Sequence, residues 1–183
     1  MIRGEKVVLR APEPEDLERC YVWMNDREVT RFTTMRFPIS RGAELKWLQQ
    51  DRDPAQVVEL AIESLEGEHI GNCGLMRVDH LCRSAELGIV IGDKNYWARG
   101  YGTDAVLTLC GFGFAEMNLN RIELHVYDYN SRGIACYEKC GFSHEGRRRA
   151  AGYREGATHD ILIMGLLADE YRDKWPQRWG TLS

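Results

Sequence analysis

The stretch NYWARGYGTDA, residues 95–105, places two closely spaced glycines just before a helical pattern. From residue 103 to residue 117, apolar side chains recur every three or four positions, which predicts a helix. Glycine is needed where φ is positive or where a ligand approaches the backbone closely. Because a helix start exposes unpaired N–H groups and carries a partial positive charge, this stretch predicts an anion-binding turn.

Strand and helix patterns surround this turn in a regular order. Apolar alternation and β-branched residues indicate strands, and capping residues with helical spacing indicate helices. The order predicts a mixed α/β (α+β) sheet, antiparallel in its first half and with a βαβ unit around the turn. The predicted strands cover residues 6–12, 57–64, 70–78, 84–92, 120–128, 146–156 and 160–167, and the other predicted helices cover 14–26, 40–50 and 130–142.

The glycine turn fits three kinds of phosphate-binding site to different degrees. The Walker pattern GxxxxGK[ST] is absent from the sequence. The dinucleotide fingerprint GxGxxA fits GYGTDA, and Glu123 stands at the distance where that fingerprint expects an acid. However, the preceding strand pattern ends near Ile91, whereas the fingerprint requires glycines directly after a strand. A turn whose backbone amides lead a pyrophosphate into a helix start fits better.

Composition limits the classes of protein that are compatible with the sequence. The chain has 183 residues and a net charge of −4, so we expect one domain over residues 1–183 and no general affinity for nucleic acid. No apolar run has the length of a membrane span, and the N-terminus lacks an apolar signal segment, which predicts a cytoplasmic protein. The six cysteines form no metal-ligand pattern, so we expect free thiols and no metal.

Four segments in the same order resemble the GCN5-related N-acetyltransferase (GNAT) superfamily. The glycine turn resembles its pyrophosphate loop, [Q/R]xxGxG/A, with Trp97 at the first position of the pattern. The preceding segment AELGIVIG looks like the family's strand before that loop. The later segment NSRGIACYEKCGF is similar to its NxxAxxxYEKxGF helix, with Gly133 in place of alanine. The segments EGRRR and HDILIMGLL resemble the closing strands of the branch with ribosomal-protein and spermidine N-acetyltransferases.

This resemblance, which covers residues 5–168, implies a fold and a reaction. The fold would be the GNAT fold, a mostly antiparallel mixed sheet with splayed central strands and flanking helices. Acetyl-CoA would be the co-substrate, and the acetyl group would pass to a primary amine by direct attack in a ternary complex. The acceptor would be a protein N-terminal amine, a polyamine or a small-molecule amine. Homodimers are common in this branch.

The resemblance also implies which residues contact the cofactor. Exposed backbone groups of the splayed strand would hold the thioester, and amides of the glycine turn would hold the pyrophosphate. Asn130 matches a family asparagine that contacts the cofactor, although a plain helix cap explains it equally well. The implied cofactor contacts are Ile89, Val90, Ile91, Ala98, Arg99, Gly100, Tyr101, Gly102, Thr103, Asp104 and Asn130.

Two residues are candidates for proton transfer. Tyr137 matches the family tyrosine near the CoA sulfur and would protonate the departing thiolate; the alternative is core packing. Glu86 lies on the strand that faces the reaction zone and would act as a general base; the alternative is a structural carboxylate. His80 and His125 are further candidate bases, and for His125 a satisfied core histidine is the plainer interpretation.

Aromatic residues of the first helical region are candidates for the acceptor site. Trp23, Phe32 and Phe37 lie where this superfamily binds its acceptor, and aromatic rings there suit a cation or an apolar group. Core packing is the alternative for each of them, and Trp47, on the second predicted helix, is expected to lie in the core. Two other functions stay open from the sequence, namely a non-catalytic CoA-binding module and a nicotinamide-dependent oxidoreductase.

Overall fold

The computed structural model describes residues 1–53 and 55–179. Within these residues the strands are β1 (Ile2–Arg3), β2 (Val7–Arg10), β3 (Val58–Ser64), β4 (His69–Asp79), β5 (Ser84–Ile91), β6 (Arg121–Tyr127), β7 (Ser143–Arg154) and β8 (Ala157–Leu167). The helices are α1 (Leu17–Asn25), α2 (Arg27–Thr30), α3 (Arg41–Leu48), α4 (Tyr101–Ala115), α5 (Ser131–Cys140) and α6 (Ala168–Lys174). Every strand and helix that the sequence predicts is therefore present.

The strands form one sheet in the order β1-β2-β3-β4-β5-β6-β8-β7. Strands β5 and β6 run parallel, and the other neighbouring pairs are antiparallel. A parallel pair requires a crossover connection, which α4 provides. The glycine turn lies in that crossover, so it stands at the end of β5 in the middle of the sheet.

Strands β5 and β6 separate in the middle of the sheet. Their pairing runs from Ser84↔Arg121 to Glu86↔Glu123, although β5 continues to Ile91 and β6 to Tyr127. We call the opening between residues 87–91 and residues 124–127 the splay. The prediction of a mostly antiparallel mixed sheet with splayed central strands is confirmed.

The two faces of the sheet are covered by different helices. Ala85 and Leu87 point from β5 into the main core beneath α4, because successive strand residues alternate between faces. Val90 points to the opposite face, where it packs with Cys20 and Trp23 of α1. We call these the α4 face and the α1 face. A ligand in the splay is thus accessible from two separate surfaces.

Helix α4 is buried around most of its circumference, which explains why it is apolar on every side. At Gly113 an added Cβ would lie 2.9 Å from a methyl carbon of Leu75, so glycine lets the helix pack closely on β4. The buried carboxylate of Asp104 accepts hydrogen bonds from the amides of Lys6 and Val7 and from the Arg178 guanidinium. These bonds fix the first turn of α4 against both ends of the described chain.

Helix α5 has the caps that its sequence predicts. The Asn130 side chain accepts a hydrogen bond from the Gly133 amide at 3.0 Å. Gly141 ends the helix with φ +108°, a left-handed conformation that suits glycine. Both ends of α5 are therefore set by local residues, which fixes where its side chains meet α4.

Some short elements were not predicted. Strand β1, helix α2 and helix α6 are too short to show a clear period in the sequence. Helix α6 is anchored by Tyr171, which is fully buried and donates a hydrogen bond to the Leu107 carbonyl. No helix within the described residues is long and apolar enough to span a bilayer.

Candidate active site

Backbone groups of β5 line the splay at alternate positions. The Gly92 amide donates to the Ile70 carbonyl of β4 at 2.9 Å, and the direction of backbone groups alternates along a strand. The Val90 groups therefore point to β4, and those of Ile89 and Ile91 point into the splay. The Trp97 indole N–H confirms this direction, since it donates to the Ile91 carbonyl at 2.7 Å from the splay side.

This geometry changes the predicted thioester contacts. The Ile89 backbone is open toward the splay, whereas the Ile91 carbonyl is already bonded to Trp97. Val90 was predicted as a cofactor contact, but its backbone groups point to β4 and its side chain to the α1 face. Sequence spacing could not distinguish these three neighbours, because the hydrogen-bonding direction depends on strand register.

The glycine turn forms a backbone cradle at the start of α4. Ala98 and Gly100 have φ of +56° and +87°, and Gly100 is the residue before the first helical turn. The amides of Tyr101, Gly102 and Thr103 are the first three of the helix, so the helix itself supplies no acceptors for them. Three adjacent N–H groups at a helix start suit a pyrophosphate.

Gly102 leaves this cradle open. An added Cβ at this position would have one close neighbour, a side-chain carbon of Ile91 at 3.6 Å, which is ordinary contact. The protein fold thus has room for a side chain at Gly102. Its absence keeps space in front of the amides, which is what close approach of a pyrophosphate requires.

Two other residues of the turn, Asp104 and Arg99, differ in whether they are free to contact a cofactor. The Asp104 amide donates to the Gly100 carbonyl within the helix, and its side chain is buried, so Asp104 does not fit its predicted role as a cofactor contact. The Arg99 guanidinium is exposed and lies 5.7 Å from the ring centres of both Tyr96 and Tyr101. Its charge is therefore available beside the turn.

Tyr137 lies half-buried on the inner side of α5. Burial raises the pKa of its phenol, so the hydroxyl keeps its proton near neutral pH, as an unshifted tyrosine also does, and is a weaker acid than a free phenol. No hydrogen-bond partner for this hydroxyl exists among residues 1–53 and 55–179. Its ring packs against Phe142 at 6.0 Å, so packing and an available proton coexist at this position.

Two cysteines lie one turn apart on α5, beside the start of α4. The Cys136 sulfur is 3.4 Å from the Thr103 hydroxyl, and the Cys140 S–H donates to the Thr103 carbonyl at 3.7 Å. Hydrogen bonding from Cys140, and then from Thr103, lowers the pKa of Cys136 to about 7. The sequence suggested only buried free thiols here, because it did not show that α5 meets the glycine turn.

Glu86 and His125 come together where β5 and β6 part. The His125 Nδ1 atom lies 3.4 Å from a Glu86 carboxylate oxygen, and Arg77 binds the other oxygen at 2.8 Å. Both candidate bases therefore occupy one site, on the α1 face. His80 lies elsewhere, since its ring bonds to the Ala55 carbonyl. The sequence offered both residues separately, and only the strand register pairs them.

A cleft of about 220 Å³ opens on the α1 face beside β5. Gly88, Ile89 and Val90 form part of its wall, so it borders the strand that lines the splay. The rest is mainly apolar. Among its other lining residues are Met24, Met35, Trp47, Glu59 and Met76. A larger depression on α3 is lined by that helix and the residues just after it, with no part of the sheet.

The aromatic residues predicted for the acceptor site are not in this cleft. Trp23 is buried in the core, with its ring 4.9 Å from that of His69, and Phe37 is 79% exposed. Phe32 packs against Tyr129 beside the cleft, with ring centres 5.7 Å apart and ring planes tilted by 36°. Trp47 lines the cleft, although its spacing in the sequence suggested core. Helical periodicity identifies a buried face but cannot show whether it covers a core or a cleft.

Comparison with known proteins gives one family and several relatives. The sequence profile of the acetyltransferase (GNAT) domain matches residues 6–143. The chain is 32% identical to a putative ribosomal N-acetyltransferase of Bacillus subtilis, over 92% of this chain and 94% of that protein. It is 28% identical to spermidine N(1)-acetyltransferase of Escherichia coli, over 93% of this chain and 91% of the relative.

Solved structures agree with the sequence comparison. The fold matches spermidine N-acetyltransferase from Vibrio cholerae, crystallised in complex with CoA and spermine, with a TM-score of 0.82 and 27% identity. The match covers 90% of this chain and 97% of that one. This match favours the GNAT interpretation over the dinucleotide alternative. Residues 92–99 also separate the end of β5 from Gly100, whereas the dinucleotide fingerprint requires its glycines directly after the strand.

Proposed function

Since this chain belongs to the GNAT acetyltransferase family and transfers acetyl groups from acetyl-CoA to amines, we propose that its acceptor is a peptide N-terminal amine. The amine enters through the cleft of the α1 face. The observation that carries this proposal is the charge of that cleft. Within the described residues, this cleft is lined mainly by apolar side chains and has no unpaired carboxylate. Such a lining suits an acceptor with a single amine attached to an apolar group.

The paired carboxylates disfavour a polyamine. Glu59 of the cleft is bound to Arg52 in an ion pair. On α2 and at its start, Glu28 and Asp26 both bind Lys94, at 2.6 and 2.7 Å. A second ammonium group of a polyamine would therefore lose hydration without gaining a free carboxylate. Among the relatives, this favours the ribosomal kind of acceptor over spermidine.

The cofactor binds in the splay from the α4 face. Its pyrophosphate lies against the amides of Tyr101, Gly102 and Thr103, with Arg99 beside them. When bound, acetyl-CoA supplies an activated acetyl thioester. The open amide of Ile89 hydrogen-bonds to the acetyl carbonyl and stabilises negative charge that develops on its oxygen. Asn130 caps α5 through its side-chain oxygen, so its side-chain N–H groups are left to bind the cofactor.

The Glu86–His125 pair removes the proton from the incoming ammonium group. A protonated amine cannot attack a carbonyl, so a base within reach of the cleft is required. Glu86 orients the imidazole of His125 and stabilises its charge, and Arg77 fixes Glu86 from the other side. This arrangement gives Glu86 a positioning role and His125 the proton-accepting role.

Tyr137 donates the proton that the departing thiolate needs. Tyr137 lies on α5, which covers the α4 face of the sheet, whereas the amine enters from the α1 face. The amine attacks directly in a ternary complex, with base and acid on opposite faces of the sheet. This separation lets one proton be taken from the acceptor while another is given to the leaving group.

An acceptor panel tests the proposed function. Acetylation of a neutral peptide with a free N-terminus should exceed that of spermidine by at least about tenfold in kcat/KM, or about 1.4 kcal/mol. The matched control is the same peptide with a blocked N-terminus and one lysine, which separates α-amines from ε-amines. Faster acetylation of spermidine than of the peptide would overturn the proposal.

A further inference from the structure

Four arginines surround an aromatic cluster next to the cleft. The cluster consists of Phe32, Tyr127 and Tyr129, with Tyr127 and Tyr129 stacked at 5.1 Å. We call it, together with its arginines, the guanidinium surface. The four arginines are Arg31, Arg36, Arg132 and Arg154.

Contacts with aromatic rings and with neutral oxygens hold these arginines in one place. The guanidinium groups of Arg31 and Arg132 lie 5.7 and 5.9 Å from the Phe32 ring. The Arg36 guanidinium donates to the Tyr127 hydroxyl at 3.2 Å. Arg154 donates to the carbonyls of Thr30 and Met35 at 2.6 and 2.7 Å, which anchors the loop after α2 to the β7–β8 hairpin.

The positive charge of this surface is not neutralised by the protein. In the described parts of the chain, none of the four arginines has a carboxylate within 4 Å. The acidic residues nearest to this surface do not neutralise its arginines. Asp128 faces His159 at 3.7 Å, Asp160 pairs with Arg147, and Glu155 forms no ion pair with the four arginines. The hydrogen bonds of Arg36 and Arg154 to neutral oxygens leave their charges in place.

The surface is continuous with the cleft. Thr33 and Met35 line the cleft, and Arg31 and Arg36 are their near neighbours on the same loop. The Arg132 guanidinium lies 4.0 Å from the Trp97 ring, which places it over the glycine turn. An extended peptide covers about 3.5 Å per residue, so a chain leaving the cleft reaches the arginines within its first few residues.

We infer that the acceptor is a peptide whose N-terminal amine is followed, within its first few residues, by acidic side chains. Guanidinium groups bind carboxylates through paired N–H donors, and arginine charges without protein partners are available for this. The surface is open and extends along a loop and a hairpin, which suits an extended chain. The inference rests on the proposed peptide acceptor and defines its sequence class.

The test uses two peptides that differ only at residues after the first, with Asp and Glu in one and Asn and Gln in the other. We expect the acidic peptide to have a kcat/KM about tenfold higher at low salt, and the difference to shrink as salt screens the charges. Spermidine is assayed in parallel as a polycationic acceptor. Equal rates for the two peptides would overturn this inference and leave the peptide acceptor intact.

Arginine variants locate the effect. Arg31→Gln removes an exposed charge whose guanidinium contacts one ring, so the fold should be kept. At Arg36, the Arg36→Gln variant is compared with Arg36→Lys, which preserves the charge. Each Gln variant should reduce the preference for the acidic peptide several-fold with the KM for acetyl-CoA unchanged, and Arg36→Lys should restore most of it. Arg172→Gln on α6 is the control; an equal effect there would overturn the assignment.

Discussion

At the scale of single residues, the proposed proton transfers depend on side chains that the fold keeps apart. Tyr137 is on α5 and the α4 face, whereas Glu86 and His125 meet on the α1 face where the central strands part. The Tyr137 phenol is protonated near neutral pH, and burial raises its pKa further, so it cannot serve as a base there. The acid and base roles are thus assigned by position and environment together.

The Tyr137→Phe variant should lose turnover while keeping its cofactor. General acid catalysis contributes about 10²–10⁴-fold, so kcat should fall by a factor in that range. The variant keeps the ring that packs against Phe142, so calorimetry should give nearly unchanged binding of acetyl-CoA. A kcat equal to that of the wild type would remove Tyr137 from the mechanism.

Alkylation of Cys136 should depend on pH in a distinctive way. Only the thiolate reacts, so its rate of modification by iodoacetamide should rise with pH around a midpoint near 7. The exposed Cys82 is the internal control, because hydrogen bonding to Asp79 raises the pKa of its thiol. Mass spectrometry of the two peptides gives both profiles, and coincident midpoints would contradict the Thr103–Cys140 arrangement.

At the scale of elements, strand β5 separates the proposed sites of the two substrates. Its odd-numbered residues direct side chains to the α4 face and backbone groups into the splay, and its even-numbered residues face the cleft. Gly88 is one of the latter, and an added Cβ there would meet the flexible end of Met76 at 2.8 Å. Gly102 lies on the cofactor side, where α4 begins.

These two glycines allow a matched pair of substitutions. Gly102→Val should fold normally and lose most of its affinity for CoA, because the side chain blocks the amide cradle. Gly88→Val should keep CoA affinity and raise the KM for the acceptor, because it fills the cleft. Calorimetry with CoA and steady-state kinetics measure both. If Gly88→Val weakens CoA binding more than Gly102→Val does, the proposed placement of the two substrates on either side of β5 is wrong.

At the scale of the whole molecule, the α1 layer is tied to the sheet by a buried charge network. The Asp16 carboxylate, at the start of α1, binds Arg10 of β2 at 2.8 Å and lies 3.1 Å from His69 of β4. Burial alone would raise the pKa of Asp16, but the hydrogen bonds from Arg10 and the Glu13 amide lower it overall. The network fixes the layer that forms the acceptor cleft.

The Asp16→Asn variant should therefore be destabilised in a pH-dependent manner. Its loss of unfolding free energy should be about 1–3 kcal/mol near neutral pH, since a buried hydrogen-bonded charge loses its partner. A lowered folded pKa stabilises the protein above the ordinary value of 3.8 and loses that effect as pH falls through the folded value. Urea unfolding of both proteins should show a difference that shrinks in acid; a constant difference would contradict the ion pair.

The sequence predicts the order of the elements well, because each long strand and helix has a period and caps of its own. The glycine turn and the α5 caps are examples in which local pattern was sufficient, whereas the splay was predicted only from the family resemblance. It could not place Trp23 or Trp47 correctly, because both follow helical spacing and only tertiary packing separates core from cleft. The pairing of Glu86 with His125 likewise depends on strand register.

The direct transfer of acetyl from acetyl-CoA to an amine is tested by one single-turnover experiment. Cys136, with its lowered pKa beside the glycine turn, is the residue that would form an acyl-enzyme if the reaction had two steps. Acetyl-CoA with a radiolabelled acetyl group is mixed with the enzyme, quenched in acid and analysed with and without the acidic peptide. We predict unlabelled protein without peptide and all transferred label on the peptide when it is present. Label held covalently on the protein without peptide would contradict the account.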